Sequence, residues 1–129
     1  MNNIYDVIIL GAGPAGLAAG LYAGRSCLKT LIIEKGQDGG QIAITDEIEN
    51  YPGQRVDIEE SGPSLIARMT AQAKKFGAER VSDMIKSVEL EGEVKKLVGA
   101  KGEYFGKTVI LATGAFPRPI GCKNEGKFV

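Results

Sequence analysis

The chain has 129 residues, with 16 Lys and Arg balancing 16 Asp and Glu, and a pI near 6.3. That length suits one domain able to bury a core without disulfides or a structural metal, and the charge balance argues against nucleic acid or an anionic membrane surface as a partner. The absence of histidine excludes a Ser-His-Asp triad, a Cys-His pair and most zinc sites, so any catalysis would fall to a cofactor.

The first apolar run, IYDVIIL at 4–10, is biased toward β-branched residues and reads as a buried parallel strand. A glycine turn follows, and Pro14 to about Cys27 reads as an alanine- and leucine-rich helix. KTLIIE at 29–34 is a second strand, which completes a βαβ unit with a right-handed crossover. Residues 36–63 are dense in Gly, Pro, Asp, Asn and Gln and read as a long irregular segment, broken by the apolar patch IAI at 42–44. Irregular segments of this length are usually functional or disordered. Tyr51-Pro52-Gly53 reads as a turn within it.

Ser61 or Gly62 caps a second helix, with Pro63 in its first turn. Leu65, Ile66, Met69, Ala73 and Phe76 share one face of that helix, Lys74 and Lys75 suit its last turn, and Gly77 its C′ position. Ala78–Val81 is a short third parallel strand. From Met84 to Phe105, turns at Glu91-Gly92, Gly99 and Lys101-Gly102 separate short strands, a pattern that fits a β-meander with a charged, solvated face. Lys107–Thr113 is the last strong strand, and residues 117–129 read as a linker. The fold class is therefore α/β: a Rossmann-like parallel sheet with a βαβ unit, plus a small antiparallel meander.

Gly11, Gly13 and Gly16 fall in the spacing G-x-G-x-x-G between the first strand and the first helix. Gly11 permits the tight turn, Gly13 admits a pyrophosphate close to the backbone, and Gly16 lets the helix approach the strand. A diphosphate would then sit on the helix N-terminus, where free N–H groups and the helix dipole favour negative charge. Glu34 ends the second strand, where its carboxylate can accept hydrogen bonds from ribose hydroxyls and would repel a 2′-phosphate. Strand, turn, helix and acid together indicate a dinucleotide site without saying which dinucleotide. Gly20 and Gly24 continue the glycines at four-residue spacing, which reads as close helix packing.

Cys27 and Cys122 form neither a C-x-x-C nor a zinc pattern and read as free buried thiols in a reducing compartment. No metal site is expected. The N-terminus lacks the basic region of a signal peptide, and no stretch approaches the roughly 18 apolar residues of a membrane span. A cytoplasmic protein is the default.

Three stretches then form a set: GAGPAG at 11–16, EKGQDGGQIAITDEIENYPG at 34–53 and ILATGAFPRP at 110–119. Together they resemble the N-terminal flavin domain of the low-molecular-weight thioredoxin reductases, within the flavoproteins that carry two dinucleotide-binding domains. The GGQ and ENYPG pair is specific to that family and its near relatives, while ATG at a strand end is shared more widely. The resemblance implies FAD. Gly11, Gly13, Pro14, Ala15 and Gly16 would meet the diphosphate, and Glu34 with Lys35 the ribose end. Gly39, Gly40 and Gln41 would approach the flavin or ribityl chain, with Asn50 nearby. The backbone around Val81 would reach the adenine, and Ala112, Thr113 and Gly114 would pass close to the cofactor. Ordinary turn chemistry also accounts for Gly39–Gln41 and Asn50, and a plain strand end for Thr113-Gly114.

The resemblance further implies a parent protein that moves electrons from NADPH through FAD to a cysteine pair and on to a thioredoxin-like redox protein. The second glycine motif and the redox C-x-x-C of such proteins do not occur in this sequence. The expectation is therefore an incomplete domain: residues 1–117 as the first part of a discontinuous FAD-binding domain, residues 118–129 as a connector toward an NADPH domain, and no catalytic residue in this chain. Cys122 would be an incidental residue of the connector. An incomplete sheet would leave an exposed edge or apolar patch, suggesting a homodimer or self-association. Other readings are a stand-alone FAD- or ADP-binding module without turnover, the flavin domain of a peroxide-reductase electron donor, or a reductase fed by ferredoxin or an F420-like donor.

Overall fold

A computed structural model describes residues 3–127. Strand β1 (Ile4–Leu10) leads through the glycine turn into α1 (Pro14–Arg25) and on to β2 (Thr30–Glu34). A 3₁₀ turn (Gly40–Ile44) precedes α2 (Gly62–Lys75), which is followed by β3 (Glu79–Ser82), β4 (Ile85–Glu89), β5 (Lys95–Gly99) and β6 (Glu103–Leu111). The strands form one sheet in the order β3-β2-β1-β6-β5-β4. The pairs β3-β2, β2-β1 and β1-β6 are parallel, and β6-β5 and β5-β4 are antiparallel.

β1 lies in the middle of the parallel half and is apolar on both faces because both faces are covered. Val7 and Ile9 join Ile32 of β2, Leu17 of α1 and Ile66 and Ala73 of α2 in one core. Ile8 joins Leu31 and Ile33 of β2 and Leu97 of β5 in a second. Leu97 is fully buried, so the antiparallel strands curl over the face of the sheet opposite the helices.

The last strand of the meander and the last parallel strand, which the sequence separates near Gly106, are one strand, β6. β6 pairs with β5 over Glu103–Gly106 and with β1 over Phe105–Leu111. Gly106 marks the change of partner: a Cβ there would lie 2.8 Å from the Ile8 side chain, so glycine serves close packing and does not break the strand. The strand also ends at Leu111, short of the expected Thr113. Beyond Gly106, β6 pairs only with β1, and Ile110 and Leu111 are exposed. The patch IAI, expected to interrupt the irregular segment, does so as part of the 3₁₀ turn. The C-terminal segment is not wholly irregular either, since Glu125 accepts the Ile120 and Gly121 N–H groups and opens a short 3₁₀ turn (Glu125–Lys127).

The helix ends follow from local chemistry. Ser61 caps α2, and Ser61 and Ser64 exchange side-chain to backbone hydrogen bonds in a capping box. Gly77, at φ 93°, closes it: the Ala78 N–H bonds the Ala73 carbonyl and the Gly77 N–H bonds the Lys74 carbonyl. Phe76 does not join the buried face; it caps the helix, 41% exposed, with the Arg25 and Lys75 cations over its ring. α1 closes by the same pattern, with Leu28 bonded to Ala23 and Cys27 to Gly24, but Cys27 takes the left-handed position at φ 60°. That position lies at the surface, so Cys27 is exposed; Cys122 is exposed in the C-terminal segment. Both thiols are free, and neither is buried as the composition suggested. Gly20 and Gly24 face Ile32 and the Phe76 backbone, which is the close packing their spacing suggested. Among the described residues, no helix is long and apolar enough to cross a membrane.

Candidate dinucleotide site

The parallel strands β2, β1 and β6 end side by side, and the chain changes direction across the sheet at β1, with β2 on one side and β6 on the other. Open α/β sheets bind ligands in the crevice at such a point, beyond the carboxyl ends of the strands. The turn out of β1 occupies it. Gly11 donates its N–H to the Ile33 carbonyl at 2.8 Å, and Ala112 donates to the Leu10 carbonyl at 2.9 Å, so β2 and β6 grip the turn from both sides.

The glycines of this turn are there because other backbone is. A Cβ on Gly11, whose φ is +113°, would overlap the Ala112 carbonyl, and one on Gly16 would overlap the Gly11 carbonyl. Gly13 is different. A Cβ there would stand 4.0 Å from the Gly40 backbone, with room to spare. Its bareness leaves an open surface at the first turn of α1, where Gly13 is the N-cap, no side chain caps the helix and no acidic residue lies in the first turn. Pro14 has no N–H to offer, so the free donors of this turn are the Ala15 and Gly16 backbones.

The GGQ segment comes to the same place. Gly39 donates its N–H to the Ala12 carbonyl at 2.8 Å, and the Gly39 and Gly40 backbones have φ values of 114° and 56°. Gln41 donates from Nε2 to the Ala115 carbonyl at 3.3 Å, which ties this segment to the chain just beyond Thr113 and Gly114. Glu34 ends β2, half-buried, and one of its carboxylate oxygens accepts the Lys35 N–H at 2.8 Å. Lys35 itself is exposed. Val81 lies on β3 opposite Ile33, one strand further out. Gly11, Gly13, Pro14, Ala15, Gly16, Glu34, Gly39, Gly40, Gln41, Ala112, Thr113 and Gly114 thus gather at one end of the sheet. Asn50 is exposed in the segment before Tyr51, and no hydrogen bond among the described residues ties it to the glycine turn.

The chain belongs to the pyridine nucleotide-disulphide oxidoreductase family. Its family model matches residues 5–129. The chain is 55% identical over 125 residues to a thioredoxin reductase of Peptoclostridium acidaminophilum, covering 97% of this chain and 39% of that protein. It is 48% identical to a thioredoxin reductase of Bacillus subtilis (strain 168), covering 96% of this chain and 38% of that protein. The crystal structure of Lactococcus lactis thioredoxin reductase superposes with a TM-score of 0.86 at 39% identity, covering 96% of this chain and 40% of that one. The chain thus spans about two fifths of the length of the curated relatives it matches.

Further residues brace the elements around this end of the sheet, and apart from Gly62, read as a helix cap, the motifs did not mark them. Gly62 opens α2 directly beneath the 3₁₀ turn, where a Cβ would overlap the Ile42 carbonyl. Glu60 is 2% exposed and receives Arg68 Nε at 2.9 Å, Arg68 Nη2 at 2.7 Å and the Arg55 N–H at 2.7 Å. Burial pulls its pKa up, but the Arg68 guanidinium and the Arg55 N–H outweigh that and hold it below its ordinary value. Asp83, 3% exposed, accepts the Tyr104 hydroxyl at 2.7 Å and the Lys101 N–H, which pins the end of β3 to the β5–β6 hairpin. Its pKa is likewise lowered by these bonds against the pull of burial, while burial and Asp83 push Tyr104 up to about 12. Glu60 lies in a polar, glycine-rich stretch and Asp83 between two short strands, where acidic residues look like loop composition, and no sequence spacing marks either as buried.

Proposed function

We propose that this chain is the FAD-binding part of a thioredoxin-reductase-type flavoprotein. The observation that carries the reading is the meeting of two bare glycine backbones, Gly13 and Gly40, across the uncapped first turn of α1, with Glu34 at the end of the neighbouring strand. A diphosphate fits this surface, because the Ala15 and Gly16 N–H groups have no partner within the helix and no side chain stands in front of Gly13. The Lys35 N–H orients the Glu34 carboxylate, whose second oxygen is then available to ribose hydroxyls. Gly39, Gly40 and Gln41 on one side, and Ala112, Thr113 and Gly114 on the other, line the path a dinucleotide takes across the strand ends. Val81 and Asn50 belong to the adenine and flavin ends of the same reading. Bound FAD supplies two-electron chemistry between a reduced nucleotide and a disulfide.

In the whole protein, electrons would pass from NADPH through FAD to a cysteine pair and then to a thioredoxin-like partner. Residues 1–117 hold the cofactor in this reading and residues 118–129 connect onward. A homodimer and a cytoplasmic setting belong to the same proposal. The two cysteines here are exposed and far apart in sequence, so this chain by itself is expected to bind cofactor without turning over a disulfide.

The test is the visible spectrum of the purified chain, followed by titration with FAD. Retained or restored flavin absorbance is expected. Glu34→Ala should weaken FAD and ADP alike by about tenfold, or about 1.4 kcal/mol. A colourless chain whose spectrum and melting temperature FAD leaves unchanged would overturn the reading.

A further inference from the structure

The loop that joins Glu34 to Gly39 carries two contacts that no motif explains. Asp38 Oδ1 receives Arg80 Nε at 2.8 Å and Arg80 Nη2 at 2.6 Å, while Asp38 Oδ2 receives the Thr70 hydroxyl at 3.2 Å. Arg80 Nη2 also reaches the Gly36 carbonyl at 3.3 Å, and its Nη1 bonds Ser82. One guanidinium thus binds the loop twice from β3, and α2 supplies a third hold through Thr70. The pair is largely withdrawn from solvent, with side-chain exposures of 17% for Arg80 and 16% for Asp38. Shielding of this kind strengthens a charge pair relative to an exposed one.

The position of this loop matters because of what flanks it. Glu34 lies at one end, and the other end is Gly39–Gly40, whose backbone faces Gly13 at the first turn of α1. We propose that the Asp38–Arg80 pair, with Thr70 and the Gly36 carbonyl, is a positioning clamp that sets how tightly the chain holds the adenosine-diphosphate half of a dinucleotide. The proposal rests on the dinucleotide reading and deepens it. Neither Asp38 nor Arg80 needs to touch the ligand. Without the clamp the loop must be ordered at the moment of binding, and every residue fixed then carries an entropic cost. With it, the ribose acid and the diphosphate-facing glycines are already in register.

Two measurements on the chain separate the possibilities. Hydrogen exchange at the Gly39 amide, which bonds Ala12, reports the order of the loop without any ligand. Titration with ADP and with FMN reports the two halves of the cofactor separately. Arg80→Ala should lower Gly39 protection and weaken ADP binding by about tenfold each. FMN binding should weaken less than ADP binding, because Glu34 lies only on the adenosine side while Gly39 and Gly40 border both halves. Arg80→Lys should recover part of both losses, since it restores the charge without the fork. Lys96→Ala, which removes a partly exposed pair with Glu103 far from the loop, should change neither. Unchanged Gly39 protection in Arg80→Ala overturns the clamp. So does a lowered melting temperature with undiminished ADP affinity, because the pair would then be merely structural. A wild-type chain that binds neither ADP nor FAD overturns the functional reading and the affinity half of the clamp together, while Gly39 protection still decides whether Arg80 holds the loop.

Discussion

The turn at Gly11–Gly16 and the segment from Lys35 to Glu60 are both rich in glycine and both irregular, yet they are held by opposite means. The turn is held by backbone against backbone, packed so closely at Gly11 and Gly16 that a Cβ has no room. The longer segment is held by carboxylates clasped from other elements, Asp38 by Arg80 of β3 and Glu60 by Arg68 of α2, with the Arg55 N–H adding a hold from within. A close-packed turn carries its instructions in the residues that form it. A clasped loop carries half of its instructions elsewhere in the chain.

The largest effect should come from breaking the turn. Gly16→Val places side-chain carbons where the Gly11 carbonyl stands, and neither backbone can retreat without leaving the sheet or the helix. A stability loss of about 3 kcal/mol or more is expected in urea unfolding. A variant that keeps the wild-type midpoint would mean that the turn has slack the geometry denies.

The loop should fail more gently and with a pH signature. Glu60 has a folded-state pKa below its unfolded value, so its contribution is present above the ordinary carboxylate range and is lost as pH falls through the folded value. Glu60→Gln should lower the melting temperature at pH 7, and its melting curve should meet the wild-type curve as pH drops below about 4. Parallel curves down to the acid limit would show that Glu60 acts through shape alone.

The smallest effect separates glycine's two uses. Cys27 and Gly77 occupy the same left-handed position at the ends of α1 and α2, and both positions lie at the surface. Volume is not limiting there, so Cys27→Gly should stabilise the chain by about 1 kcal/mol and Gly77→Ala should cost a similar amount. If Cys27→Gly instead lowers the unfolding midpoint, the thiol makes a contact that its exposure does not suggest.

The parallel half was legible because its signals are local. IYDVIIL is apolar throughout and β1 is covered on both faces; Ser61 followed by Pro63 announced the cap of α2, and Gly77 its end. Gly106 misled because glycine between two β-rich runs reads as punctuation. Here it lets one strand pass beneath Ile8 while changing partners. The cysteines misled because small apolar residues are usually buried, whereas Cys27 occupies a helix-terminating position that the sequence does not mark. At the site, the glycine turn, Glu34 and GGQ were each readable alone. Their meeting was not, since the Gly39 to Ala12 and Gln41 to Ala115 hydrogen bonds span separations that no periodicity reports.

By itself the sequence determined the elements whose cause lies within a few residues: the βαβ unit, the turn that only glycine allows, the capped second helix and the acid ending β2. Propensity, capping and Cβ sterics act over that range, so they can be read from neighbours. The tertiary structure decided which of the many charged residues are buried, where β6 changes partner and how the loop beyond Glu34 is brought to the glycine turn. Those outcomes depend on burial and on ion pairs between residues far apart in sequence, and such energies exist only once the sheet has brought the partners together.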